Sequence, residues 1–140
     1  MLVLTRKPNE TVVIGEIATL TVREIREDSI LVQVVCGSDV PVTLADSQQP
    51  LPRRPVEPGP GVVWPEEQMA PGPLEAVKAS LGYGQALRIG EGISVTLERV
   101  QHFEGANVRV RLGFHAPAQV PIARLEVLRR QPPPAPPAGT

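Results

Sequence analysis

The chain of 140 residues is short of aromatic side chains, cysteine and long hydrophobic runs. Phe, Trp and Tyr together make up 3% of it, so its core must be aliphatic. The lone thiol, Cys36, excludes an internal disulfide, and its apolar neighbours in LVQVVCG predict a buried side chain rather than a nucleophile. No apolar run of about 18 residues is present to span a bilayer, and no basic and apolar leader opens the sequence. We therefore expect a cytoplasmic protein with no membrane partner.

The chain also lacks a large excess of positive or negative charge, since the formal net charge is -1. This argues against a partner held mainly by bulk electrostatics. The distribution is uneven, however: residues 1–46 carry four Lys/Arg and seven Asp/Glu, whereas residues 86–131 carry seven Arg and four Glu. The asymmetry fits two halves that attract each other, a basic face for an anion, or unselected drift, and the sequence leaves all three open.

Catalytic and metal-binding constellations are missing as well. The chain contains no Ser-His-Asp set, P-loop or glycine fingerprint. His102 and His115 have no carboxylate or thiol at the spacing that a metal site requires. The sequence therefore predicts a protein that is not an enzyme and uses no metal and no cofactor.

What the sequence does contain is a series of short β segments. Between residues 1 and 46 they read LVLTR, TVVIG, ATLTVREI, SILVQVV and VPVTL, separated by turn-forming residues, which predicts a meander of about five strands. The period-two pattern of the first segment places Arg6 on the same face as Leu2 and Leu4. An N-terminal strand that pairs at once leaves Arg6 for a partner or for solvent.

A proline-rich segment separates this region from a second β block. Eight prolines fall in SQQPLPRRPVEPGPGVVWPEEQMAPGPLE, which predicts a linker over residues 47–83 that does not continue a sheet. Within it, PLEAVKASL favours a short helix slightly over a strand. At the other end, ARLEVLRRQ predicts a short C-terminal helix, and residues 132–140 a disordered proline-rich tail.

The second β block, residues 84–131, repeats the first block, residues 1–46. Ile14-Gly15 aligns with Ile89-Gly90, ATLTV with ISVTL, and VPVTL lies near VPIAR. The chain thus contains an internal repeat of two divergent copies.

These residues resemble a known family. MLVLTRKPNETVVIG followed by TLTV resembles the start of the carbon storage regulator family (CsrA and RsmA), bacterial post-transcriptional regulators, and VRVRLGFHAPAQVPIARLEV resembles that family's last loop and strand. The resemblance implies an all-β fold with a short C-terminal helix, in which two five-stranded chains exchange strands. Two copies on one chain then predict an intramolecular strand-exchanged pseudo-dimer, a β-sandwich or barrel that acts as a monomer.

The resemblance also implies the site. The family binds RNA with a GGA in a loop or single strand, at two sites that each combine the first strand of one protomer with the last strand of the other. In this chain one such site would combine Arg6 with Arg124, and the opposite site would hold Leu81 and Leu44. Arginine suits the task because its fork of donors matches guanine O6 and N7. The implied RNA-binding residues are Leu4, Thr5, Arg6, Gly113, His115, Ala116, Pro117, Val120, Ile122 and Arg124.

Two functions follow from this comparison. The leading one is a translational regulator that binds a GGA-containing mRNA 5′ leader through one composite site. The alternative is a protein-interaction scaffold with decayed RNA binding, whose partner would be a protein antagonist of the flagellar system; the acidic first copy favours it. An ion pair with a carboxylate is the competing role for Arg6. Arg109 and Arg111 alternate with apolar residues, as solvated side chains of a half-buried strand do, with phosphate contact as the alternative.

Overall fold

A computed structural model of the chain describes residues 2–47, 51–56, 73–102, 104 and 107–124. In this part the chain forms eleven β-strands and no helix. The strands are β1 (Leu2–Arg6), β2 (Thr11–Ile14), β3 (Ala18–Ile25), β4 (Ser29–Gly37), β5 (Val42–Leu44), β6 (Arg53–Val56), β7 (Leu74–Gly82), β8 (Ala86–Ile89), β9 (Ser94–His102), β10 (Val108–His115) and β11 (Ile122–Arg124).

The strands form two antiparallel sheets, and each sheet mixes the two copies. Sheet A has the order β1-β10-β9-β8-β5, and sheet B has the order β11-β2-β3-β4-β7-β6. A three-strand meander of one copy is therefore flanked by the first and last strands of the other. The meander predicted for residues 1–46 is right for β2 to β4 but wrong for β1 and β5, which pair with β10 and β8. The all-β, strand-exchanged pseudo-dimer is confirmed.

Bulges in the two meanders fix which residues of the copies correspond. The β3–β4 ladder slips just after the pair Val22–Val32, and the β9–β10 ladder slips just after the pair Leu97–Leu112. Matching these two bulges gives the same correspondence as the sequence alignment. The equivalent pairs are Arg6 with Leu81, Arg124 with Leu44, Val120 with Val40, Pro117 with Gly37 and Leu2 with Val77.

The segment PLEAVKASL forms strand β7, so the slight preference for a helix was wrong. Its residues pair with β4 along the whole of Leu74–Gly82. Every second side chain is buried, namely those of Val77, Ala79 and Leu81. Pairing and burial on a sheet outweigh the intrinsic helix preference of Ala, Lys and Glu.

A second strand also lies within the predicted linker. Strand β6 adds to the outer edge of β7, with Arg53 opposite Val77 and Pro55 opposite Glu75. Proline is tolerated there because an edge strand does not need every N–H. The sheet thus continues into residues 47–83, contrary to expectation. The first two residues of the predicted C-terminal helix, Ala123 and Arg124, belong to β11 instead. The rest of that segment and the tail at 132–140 lie outside the described residues.

The core lies between the two sheets and is almost entirely aliphatic. Phe114 is the largest fully buried side chain, and leucines, isoleucines and valines from both copies surround it. Cys36 is fully buried among them, as predicted. Because both copies contribute to one core, the fold places residues that are distant in sequence at shared edges.

Candidate nucleic-acid interface

Strand β1 forms one edge of sheet A. It pairs with β10 from Leu2 opposite Phe114 to Arg6 opposite Val110. On its other side it meets no strand among the described residues. An edge strand of this kind presents backbone N–H and C=O groups to a ligand.

The loop at residues 116–121 leads from β10 in sheet A to β11 in sheet B. The Val120 N–H donates to the Pro117 carbonyl (2.9 Å), which closes a turn, and the Gly15 N–H donates to the Pro121 carbonyl (2.7 Å). Gly15 has a φ of 52°, and a Cβ there would lie 3.2 Å from Val120 Cγ1. Glycine at this position therefore lets a turn of the first copy support a loop of the second.

An open pocket of about 240 Å³ lies where β1 meets this loop. The volume is below the roughly 300–1,000 Å³ of pockets for drug-sized ligands, so the pocket suits a smaller chemical group. Leu2 comes from the first copy and the rest of the lining from the second. The lining residues are Leu2, Phe114, His115, Ala116, Pro117, Ala118, Val120 and Ile122.

Arg124 is the cation nearest to this pocket along β11. Because side chains alternate along a strand, Arg124 lies on the same face of β11 as the pocket-lining Ile122. Its Cα is opposite that of Val12 on β2. The side chain is exposed, and the described contacts include no hydrogen bond or ion pair for it. Its donors are thus available to a ligand.

Arg6 has a different environment, since it is only 3% exposed. Its Nε donates to the Thr5 carbonyl (2.7 Å), and its Nη1 lies 3.5 Å from the Thr11 carbonyl oxygen. The expectation that Arg6 is left for solvent was therefore wrong. Its guanidinium points inward and links β1 to the start of β2.

The structure divides the ten predicted site residues into three groups. Three are buried: Leu4, Arg6 and Gly113. Five line the pocket: His115, Ala116, Pro117, Val120 and Ile122. The remaining two are Thr5, half-buried on the outward face of β1, and Arg124 beyond Ile122. Their roles in binding remain predictions. Leu2, which is 41% exposed at the pocket, was not predicted.

On the opposite side of the molecule, the equivalent loop holds the guanidinium of Arg53 from β6. Its Nη1 donates to the Val40 carbonyl (2.5 Å) and its Nη2 to the Gly37 carbonyl (3.0 Å). These residues are the counterparts of Val120 and Pro117. A side chain of the protein itself therefore occupies the carbonyl groups of the second loop. The proline-rich sequence around Arg53 contains no pattern that predicts this contact.

Two further contacts complete the environment of Arg53. Its Nε forms an ion pair with the Glu75 carboxylate (2.8 Å), and its Nη2 lies 3.6 Å from Cys36 Sγ. Burial raises the pKa of the Cys36 thiol, although the neighbouring Arg53 guanidinium acts in the opposite direction. Cys36 is thus an inert core residue beneath Arg53.

Comparison with known proteins identifies a family for this chain. A family model for CsrA, described as a global regulator protein family, matches residues 1–44 and 82–131, which is well over half of the chain. The chain belongs to the CsrA family. No curated protein and no solved structure matches it. The family match leaves out most of β7, yet β7 occupies the place of a first strand in sheet B.

Membership in the CsrA family makes the protein a post-transcriptional regulator of an RNA-binding class, and the family is not one of enzymes. Within the described ranges, no group of three or more His, Cys, Asp or Glu side chains is placed to hold a metal ion. The same residues include no helix long and apolar enough to cross a membrane.

Proposed function

We propose that the protein is a translational regulator that binds a GGA-containing loop or single strand of an mRNA 5′ leader through one composite site. One observation carries the proposal: a pocket lined by Leu2 of the first copy and the 116–121 loop of the second, with the exposed Arg124 beside it. We expect the protein to act in the cytoplasm and to bind RNA without a cofactor.

The chemistry of the site suits unpaired purines. Bases of single-stranded RNA are read by hydrogen bonds to their Watson–Crick edges, and the open edge of β1 and the loop offer backbone groups for this. Arg124 supplies the fork of donors that matches guanine O6 and N7. Thr5 and His115 border the site, and Leu4 and Arg6 hold β1 in place from the buried side. Arg6 contacts RNA directly only if its guanidinium turns outward.

The opposite side is proposed to bind no RNA. Leu81 and Leu44 stand where the first site has Arg6 and Arg124, and Arg53 takes up the loop carbonyl groups there. With a single site, one chain does not bridge two GGA motifs, so the avidity that paired sites provide is absent. All exchanged-strand positions are filled within the chain, which supports a monomer.

A gel-shift titration with a minimal GGA hairpin tests the proposal. The wild type should bind this hairpin and not one in which the GGA is replaced by CCA. Arg124→Ala should weaken binding, whereas Arg54→Ala, which removes an exposed arginine from β6 on the other side, should not. Equal binding of the two hairpins would contradict sequence recognition, and an unchanged affinity in Arg124→Ala would contradict the site.

A protein-interaction scaffold is the second candidate. The unpaired edge of β1 suits the addition of a strand from a partner, and the exposed Leu2 adds apolar surface. The partner class is a protein antagonist of the flagellar system. Failure of the wild type to shift a GGA hairpin even at low salt would support this function over RNA binding.

A further inference from the structure

Four arginines lie on the face of sheet A that points away from the core. The neighbours of Arg88 and Arg111 along their strands are buried: Leu87 and Ile89 flank Arg88, and Val110 and Leu112 flank Arg111. Arg99 is paired with Arg111, and Arg109 is two residues before Arg111 on β10, so both share its face. Alternation therefore turns the arginines outward. We name this surface the arginine patch; its residues are Arg88, Arg99, Arg109 and Arg111.

The pairing of β9 with β10 brings like charges together. Arg99 is directly opposite Arg111 in the ladder, and both are exposed. Directly opposite Cβ atoms are about 4.5–5.5 Å apart, so a pair of like charges destabilises the sheet. The exposed Glu98 is the nearest acidic neighbour along β9, yet the described contacts include no ion pair or hydrogen bond for Arg99 or Arg111. The positive charges of Arg99 and Arg111 would therefore be compensated by a bound anion.

The internal repeat shows that the fold does not require these arginines. At the equivalent places on sheet B the same backbone carries one valine, one glutamate, one serine and one leucine. These counterparts of Arg88, Arg99, Arg109 and Arg111 are Val13, Glu24, Ser29 and Leu31. The basic face is thus a property of the second copy alone, on the sheet that carries the open edge of β1.

We propose that the arginine patch binds the phosphate backbone of the RNA that flanks the motif held in the pocket. This inference rests on the proposed function and extends it to a second contact surface. The patch is continuous with the site, because Thr5 of β1 is directly opposite Arg111, and Arg99 follows on the next strand. One and two strand spacings place these cations about 5 and 10 Å from β1.

The chemistry of the patch indicates phosphate rather than base recognition. Two aromatic side chains are described: Phe114 is buried, and the exposed Tyr83 accepts a hydrogen bond from the Val100 N–H of β9 through its hydroxyl (2.9 Å). A single tyrosine does not form the row of aromatic side chains on which successive bases stack. Arginine forks bind phosphate oxygens well, and such contacts carry no sequence information. The pocket would therefore select the motif, and the patch would add affinity that depends on the length of the RNA and on salt.

The test compares two RNAs on the intact chain: a minimal GGA hairpin, and the same hairpin with single-stranded uridine extensions on both sides. Affinity is measured over a range of salt concentrations. Arg99→Gln/Arg111→Gln removes two cations of the patch, and Arg54→Gln/Lys78→Gln removes two exposed cations of sheet B as a matched control. Thermal unfolding of each variant verifies that it is folded.

The extended RNA should bind the wild type with a steeper salt dependence than the hairpin. Each lost phosphate contact to a single strand lowers the slope of log K against log salt by about 0.7, so the Arg99/Arg111 variant should lower it by about 1.4 for the extended RNA only. Equal slopes in this variant and the wild type, with normal hairpin binding, would overturn the inference alone. No binding of the hairpin would overturn the proposed function and this inference together.

Discussion

Arg6 and Arg124 come from different copies of the repeat, and they lie beside consecutive residues at the start of β2. Arg6 Nη1 is 3.5 Å from the carbonyl oxygen of Thr11, and Arg124 is paired with the next residue, Val12. Arg6 is buried and Arg124 is exposed. The two arginines therefore differ in what they contribute, one to the position of the strands and the other to the ligand.

Replacement of Arg124 by alanine should lower RNA affinity without lowering stability. An arginine that reads guanine contributes about 1–3 kcal/mol, so the dissociation constant for a GGA hairpin should rise by roughly 5- to 150-fold. Because the side chain is exposed and makes no described contact, the urea midpoint should stay that of the wild type. A lowered midpoint would mean that Arg124 is structural instead.

Replacement of Arg6 by alanine should lower both stability and affinity. Two backbone carbonyl groups lose a buried donor, and an unsatisfied buried polar group costs about 1–3 kcal/mol, which urea unfolding measures. Arg6→Lys keeps the charge but not the fork, so it should recover only part of the loss. If Arg6→Ala weakened RNA binding with an unchanged urea midpoint, Arg6 would be a direct contact and not a positioning residue.

Replacement of Arg53 by alanine should open the second loop without creating a second RNA site. The chain has one cysteine, so the rate at which Cys36 reacts with a thiol reagent reports this opening. We expect faster reaction in Arg53→Ala than in the wild type and in Arg54→Ala, the exposed neighbour on β6. RNA stoichiometry should stay at one because Leu81 and Leu44 remain. Two RNAs per Arg53→Ala chain would show that Arg53 alone closes that site.

The thiol of Cys36 should also make stability depend on pH. Burial raises its pKa in the folded state, whereas in the unfolded chain a thiol loses its proton near pH 8.5. The unfolded state thus releases a proton that the folded state keeps, so the free energy of unfolding should fall as the pH rises above about 8.5 and be unaffected below it. Cys36→Ala should show a smaller fall over the same range. Identical pH profiles would contradict this role of the thiol.

The chain should be a monomer in solution. Both sheets already contain strands from both copies, so no strand position is left for a second chain to fill by exchange. Light scattering coupled to size-exclusion chromatography should give a mass near 15.1 kDa. A mass twice as large, at the concentrations used for RNA titration, would show that two chains pair further.

The aliphatic strands and the internal repeat made much of this fold predictable. The alignment of the two copies already made Leu81 the equivalent of Arg6 and Leu44 the equivalent of Arg124. The positions of the bulges in the two sheets agree with this alignment. The partners of β1 and β5 were not visible in the local pattern, because alternation within a strand says which face is buried but not which strand lies beside it. Only the family resemblance indicated the exchange.

Other features were beyond the sequence for physical reasons. Strand β7 has the composition of a helix, and its conformation is set by pairing with β4. Arg53 lies in a proline-rich segment, and its partners come from two separate places in the chain: the turn that contains Gly37 and Val40, and Glu75 on β7. The burial of Arg6 likewise depends on the approach of β2 to β1, which no local pattern records.

The number of RNA molecules bound per chain tests the central claim most directly. Native mass spectrometry of the intact protein with an excess of a minimal GGA hairpin should show one RNA on one chain, and Arg124→Ala should reduce that complex strongly. Two RNAs bound with equal affinity, or no complex at low salt, would contradict a single site built from the first strand of one copy and the last strand of the other.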